Sequence, residues 1–116
     1  MTWIEVRLTA EARGWTRFEL EHVGPADDQR WAEFGPGATG VGWDMTLLGL
    51  ARYLHGGSAP AGQQAAAAWM SSAGGRDFMT LSSQRWRDAD IAAGTDEAAA
   101  RAAAGRCTAA YTGGSS

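Results

Sequence analysis

Between Trp3 and Thr9 apolar and polar side chains alternate, with Ile4, Val6 and Leu8 on one side and Trp3, Glu5 and Arg7 on the other. This is the two-residue period of a half-buried strand. The period recurs from Trp15 to Val23, where Thr16, Phe18, Leu20 and His22 share one face and Arg17, Glu19 and Glu21 point away. The connection from Ala10 to Gly14 is short enough for a hairpin, and Gly14 suits a positive-φ position. A two-stranded antiparallel ribbon is therefore predicted. Its register stays open: Thr9 across from Trp15 leaves Glu5 diagonal to Arg17 and Arg7 diagonal to Glu19, whereas a shift by two residues brings such pairs face to face.

Gly24-Pro25 ends the second strand, and Gly35-Pro36-Gly37 interrupts a short helical turn begun around Asp27 to Phe34. From about Val41 the period changes to that of a helix. Trp43, Leu47, Leu50 and Leu54 form an i, i+4, i+7, i+11 stripe, widened by Leu48 and Ala51. Ser58 before Pro60 marks an N-cap region for a helix from Gln63 to Met70, stopped at Gly74-Gly75. Arg76 to Ala93 places Phe78, Ser82, Trp86 and Ala89 on one side of the next helix. Gly94 ends it, Thr95 with Asp96 and Glu97 starts the last one, and Gly113 to Ser116 is read as a frayed tail.

Composition sharpens this picture. The chain has 116 residues, enough for one domain, and 45% of them are apolar. Of those, 24 are alanine, which leaves 28 larger apolar side chains. Residues 1–55 hold 19 of the larger ones and 6 alanines; residues 56–116 hold 9 and 18. The alanine runs favour helix but bury little area, so the second half is expected to be helical and weakly anchored. A formal charge of -3 and a pI of about 5.2 exclude the basic footprint of a nucleic-acid or anionic-membrane binder. All ten basic residues are arginine, which points to a GC-rich coding sequence and a bacterial source. A single cysteine, Cys107, fits a reducing compartment, and the alternating N-terminus is unlike a signal peptide, so a cytoplasmic location is expected.

Little in the chain invites catalysis. His22 falls on the inward strand face, where it serves as a general base or as a hydrogen-bonded core histidine. His55 follows the last turn of the long helix and is read as its cap. Glu19 and Glu21 share an outward face with Arg17 and are read as solvated. Asp44 is taken for a first-turn dipole acid and Cys107 for a buried thiol. Gly35, Gly37, Gly40 and Gly42 lack the Lys-Ser or Lys-Thr pair of a phosphate loop and are treated as turn glycines. Trp43, Trp69 and Trp86 are expected in the core. No metal-ligand spacing is present, and no cofactor is expected.

The run WIEVRLTAEARGWTRFELEHVG, followed by FGPGATGVGWDMTLLGLARYLHGG, resembles the C-terminal part of SRPBCC (START-like, helix-grip) proteins. It is most similar to the branch named for the activator of heat-shock protein 90 ATPase. That family ends in two antiparallel strands, the second closing in a His, then a loop, then a Gly-Trp pair opening a long helix across a curved sheet. His22, Gly42 and Trp43 match, as do Leu47, Leu50 and Leu54. GGRDFMTLSSQRWRDADIAAG and ARAAAGRCTAAYTGG resemble the helical extension of a bacterial subgroup. A full domain of this type has further strands and helices before the segment seen here, so the resemblance implies a truncated domain with open strand edges, prone to self-association.

The fold class expected is α+β: an antiparallel two-stranded hairpin packed on a long α-helix, followed by a helical extension. Residues 1–57 form the helix-grip part, 58–112 the extension and 113–116 the tail. Trp43, Leu47 and Leu50 are expected on the Ile4, Val6, Leu8, Phe18 and Leu20 face, so that Trp43→Ala abolishes cooperative melting. The resemblance implies a non-enzymatic binding protein that holds a small apolar ligand between sheet and helix. The lining is then Val6, Leu8, Phe18, Leu20, His22, Trp43, Leu47 and Leu50, with His22 fixing orientation. Two other classes follow from the same resemblance: a protein-interaction module of chaperone-cofactor type, and a polyketide cyclase- or dehydratase-like enzyme using His22 and Asp44.

Overall fold

A computed structural model describes residues 2–25, 29–56 and 62–113. The fold is α+β and mostly helical, with one two-stranded antiparallel sheet and five α-helices among the described residues. The strands are β1 (Trp3–Ala10) and β2 (Thr16–Val23). A single 3-10 turn, Ala12–Gly14, joins them, with Arg13 and Gly14 both at positive φ (66° and 77°). The Glu11 N–H closes this turn on the Trp15 carbonyl at 2.8 Å. Trp15, expected inside the second strand, instead lies in the turn and is 72% exposed.

The register settles the question that charge left open. Arg7 lies directly across from Glu19, Leu8 from Phe18, Val6 from Leu20 and Ile4 from His22. Glu5 falls opposite Glu21. That like-charge pair is bridged by Arg7, which contacts Glu5 and reaches Glu21 at 3.6 Å.

The helices are α1 (Gln29–Phe34), α2 (Gly37–Leu54), α3 (Gly62–Ser71), α4 (Ala73–Ala92) and α5 (Glu97–Thr112). Helix α2 starts at Gly37, a full turn before the apolar stripe begins, because Pro36 presets a helical φ of -65° and its carbonyl accepts the Gly40 N–H. Of the four loop glycines, only Gly35 serves a turn (φ 68°); Gly37, Gly40 and Gly42 lie inside α2. The expected cap at Ser58 and Pro60, and residues 114–116 of the expected tail, lie outside the described residues. Gly74 and Gly75 do not stop a helix; they form the first turn of α4, capped by Ser72, whose hydroxyl accepts the Gly75 N–H at 3.1 Å. A side chain at Gly75 would collide with the Trp69 carbonyl, 2.0 Å from an ideal Cβ. Gly94 (φ 113°) ends α4, and Asp96 caps α5 by accepting the Ala99 N–H.

The core lies among the helices, with α4 central and packed on α2, α3 and α5. Val41, Met79 and Cys107 are fully buried, surrounded by Phe34, Met45, Met70, Phe78, Trp86 and Tyr111. Ala100 and Ala103 are buried with them. The alanine-rich half is thus the better anchored one, contrary to the compositional expectation. Its small side chains let the backbones approach closely, so large neighbours make up the contact area.

Candidate ligand site at the hairpin–helix junction

Strand alternation and the observed register put Ile4, Val6, Leu8, Phe18, Leu20 and His22 on one face of the hairpin. This face is open: Ile4, Val6, Leu8 and Phe18 retain 50%, 51%, 68% and 40% of their exposure, and only Leu20 is half-buried. At its far end from the turn the face meets α2. There the Trp43 indole N–H donates to Nδ1 of His22 at 2.9 Å, and the two rings stand edge to face at 86° with centroids 5.9 Å apart. An indole nitrogen only donates, so Nδ1 is the unprotonated nitrogen and Nε2 carries the proton. His22 therefore accepts from Trp43 while keeping one donor for another group.

Two stripes of α2 serve different surfaces. Val41 and Met45 face the core with Gly37 and Gly40, while Trp43, Leu47 and Leu50 lie about a third of a turn away. Leu47 is half-buried, Leu50 remains 40% exposed and Leu54 70%. The structure thus joins His22 to Trp43, while Val6, Leu8 and Phe18 line the open sheet face and Leu50 the open side of the helix.

The other ionisable candidates are engaged. Asp44 sits two turns into α2 and not in its first turn. Its Oδ2 accepts the Ser82 hydroxyl at 2.5 Å and the Trp86 indole N–H at 3.1 Å, tying α2 to α4. Arg17 pairs with Glu19 at 3.5 Å. His55 caps α2, with Nδ1 2.8 Å from the Ala51 carbonyl oxygen. Asp90, buried at the end of α4, accepts the Thr95 hydroxyl at 2.7 Å. Among the described residues, no group of three His, Cys, Asp or Glu side chains is placed to hold a metal ion.

A hollow elsewhere in the molecule escaped sequence reading because its walls combine the α1–α2 junction with α5, far along the chain. An open pocket of about 300 Å³ is lined by Arg30 and Phe34 of α1, Ala38 of α2, and Cys107, Ala110 and Tyr111 of α5. The Tyr111 hydroxyl donates to the Ala38 carbonyl at 2.6 Å. Burial pushes the Cys107 thiol up, against a hydrogen bond with Ser83 that lowers it. Burial likewise raises Tyr111, with Cys107 adding to the effect and Gly42 and Arg30 opposing it. Both groups stay protonated at neutral pH, which suits packing and not nucleophilic attack.

No helix among the described residues is long and apolar enough to cross a membrane. No family model, curated protein or solved structure matches the chain.

Proposed function

We propose that the chain is a non-enzymatic binding element of helix-grip type, holding a small apolar molecule against the inward hairpin face beneath α2, in a cytoplasmic setting. The observation that carries this reading is the His22–Trp43 hydrogen bond at the end of an apolar sheet face that is otherwise open. Val6, Leu8, Phe18 and Leu20 supply the apolar floor, and Trp43, Leu47 and Leu50 the roof. The Nε2 proton of His22 is the polar group that orients the ligand. Such a division, mostly apolar contact with one fixed donor, is the usual economy of small-molecule sites.

The test is a fluorescence titration with fatty-acid-like and aromatic ligands. Trp43 belongs to the proposed roof, so a saturable emission shift is expected, with apparent affinity reduced at least about tenfold in Leu20→Asp. No shift at high ligand concentration, or an equal shift in Leu20→Asp, overturns the proposal.

A further inference from the structure

The outer edge of β1 carries a sequence that is its own antiparallel complement. Among the described residues, no backbone hydrogen bond joins β1 or β2 to a strand beyond its hairpin partner. The outward N–H and C=O groups of β1 therefore form a template for another strand. Two copies can meet there about a two-fold axis, and the side-chain period restricts how. Directly opposed residues of an antiparallel pair point to the same face, so the apolar faces of two hairpins run on into one another only when the axis passes through a residue position. A one-residue slip sets Val6 against Arg7.

Charge selects among the remaining registers. Centring the axis on Glu5 opposes Glu5 to itself, and centring it on Arg7 opposes Arg7 to itself; centring on Ile4 or Leu8 pairs no opposite charges. Centring on Val6 sets Glu5 across from the second copy's Arg7 twice, Ile4 across from Leu8 twice and Val6 across from Val6. The β2 edge offers no equal. An axis at Leu20 opposes Glu19 to Glu21, and one at Glu19 opposes that residue to itself; one at Phe18 does set Arg17 across from Glu19 twice, but it puts Thr16 against Leu20 where the β1 register has Ile4 against Leu8. The hairpin also has a charge to satisfy, since Arg7 serves both Glu5 and Glu21 and shares Glu19 with Arg17. The second copy brings another guanidinium to Glu5.

We propose that the chain forms a two-fold dimer through β1, centred on Val6, giving a four-stranded antiparallel sheet in the order β2-β1-β1-β2 with one continuous apolar face. The partner is a second copy of this chain, and the pairing stands apart from the ligand reading.

Light scattering and sedimentation on the full chain should show a dimer. Glu5→Arg separates this interface from hairpin stability. Within the hairpin it gives up the contact with Arg7 but sets an arginine opposite Glu21, exchanging one opposite-charge contact for another, whereas across the dimer it opposes arginine to Arg7 twice. The expected result is a largely unchanged melt with a dimer dissociation constant raised roughly tenfold or more. Register is read by oxidation. Val6→Cys places two thiols on residues about 4.5–5.5 Å apart at Cα and should give a disulfide-linked dimer. Ile4→Cys alone should not link, because the two cysteines lie about 14 Å apart. A monomer throughout the concentration range, a dimer indifferent to Glu5→Arg, or cross-linking through Phe18→Cys in place of Val6→Cys overturns the proposal. Each of these outcomes leaves the ligand titration to be decided separately.

Discussion

At Gly40 the Trp86 indole lies where a side chain would stand, with an ideal Cβ only 2.1 Å from Cε2. Gly40→Ala gains at most about 1 kcal/mol of helix propensity but forces the indole off Asp44, an overpacking cost of about 1–3 kcal/mol. Net destabilisation is expected in urea unfolding. Gly49 on the same helix has nothing within 4 Å of its Cβ position, so Gly49→Ala should stabilise by about 0.5–1 kcal/mol in the same assay. The buried thiol and phenol make a second residue-level prediction. Folding raises Cys107 above its ordinary 9.0 and Tyr111 above its ordinary 10.0, each chiefly through burial. A raised pKa gives stability that is complete below the unfolded value and is lost as pH rises through the folded one. Urea midpoints should therefore fall from about pH 9 upward, and Cys107→Ala with Tyr111→Phe should flatten that slope. An unchanged slope in the double variant would show that other groups control alkaline unfolding. The roles of Gly37, Gly40, Met79 and Ser83 were not legible in the sequence. A glycine in a Gly- and Pro-rich run reads as a turn until the residue packed against it, 46 positions away in the case of Gly40 and Trp86, is known.

Among the elements, the hairpin was legible because a two-residue period and a Gly-containing connection act locally. Its register was not, since two placements satisfied the charges almost equally and differed only in which pairs came face to face. The long helix was recognised from its Trp43, Leu47 and Leu50 stripe, yet its best-buried face is another, carrying Val41 and Met45. This shifts the expected consequence of mutation. Met79→Ala, at the fully buried centre, should cost about 2–5 kcal/mol and remove most of the cooperative melt followed by circular dichroism at 222 nm. Trp43→Ala removes the bond to His22 and should free the hairpin while the helical transition persists, contrary to the loss of all cooperativity expected from the stripe alone. Hydrogen exchange distinguishes the two: β1 and β2 amides should lose protection in Trp43→Ala, with those of α4 and α5 unaffected. Equal loss in α4 would place Trp43 in the helical core.

For the whole molecule, the sequence determined what depends on near neighbours: two alternating strands, the breaks at Gly35-Pro36 and Gly94, the start of the last helix around Thr95 and Asp96, although Asp96 and not Thr95 is its cap, and the acidic balance of charge. Those features follow from backbone sterics, side-chain period and net charge, which need no knowledge of distant residues. Tertiary structure decided where the core lies. Counting large apolar side chains assigned it to the first 55 residues, but those of the hairpin remain largely exposed, while alanines and glycines of α2, α4 and α5 bring Val41, Met79 and Cys107 together. Tertiary structure also turned Asp44 into a link between α2 and α4, and built a pocket from α1, α2 and α5 that no contiguous segment announces. The physical reason is the same in each case: burial depends on how closely two backbones approach, and that distance is set by pairs of residues far apart in the chain.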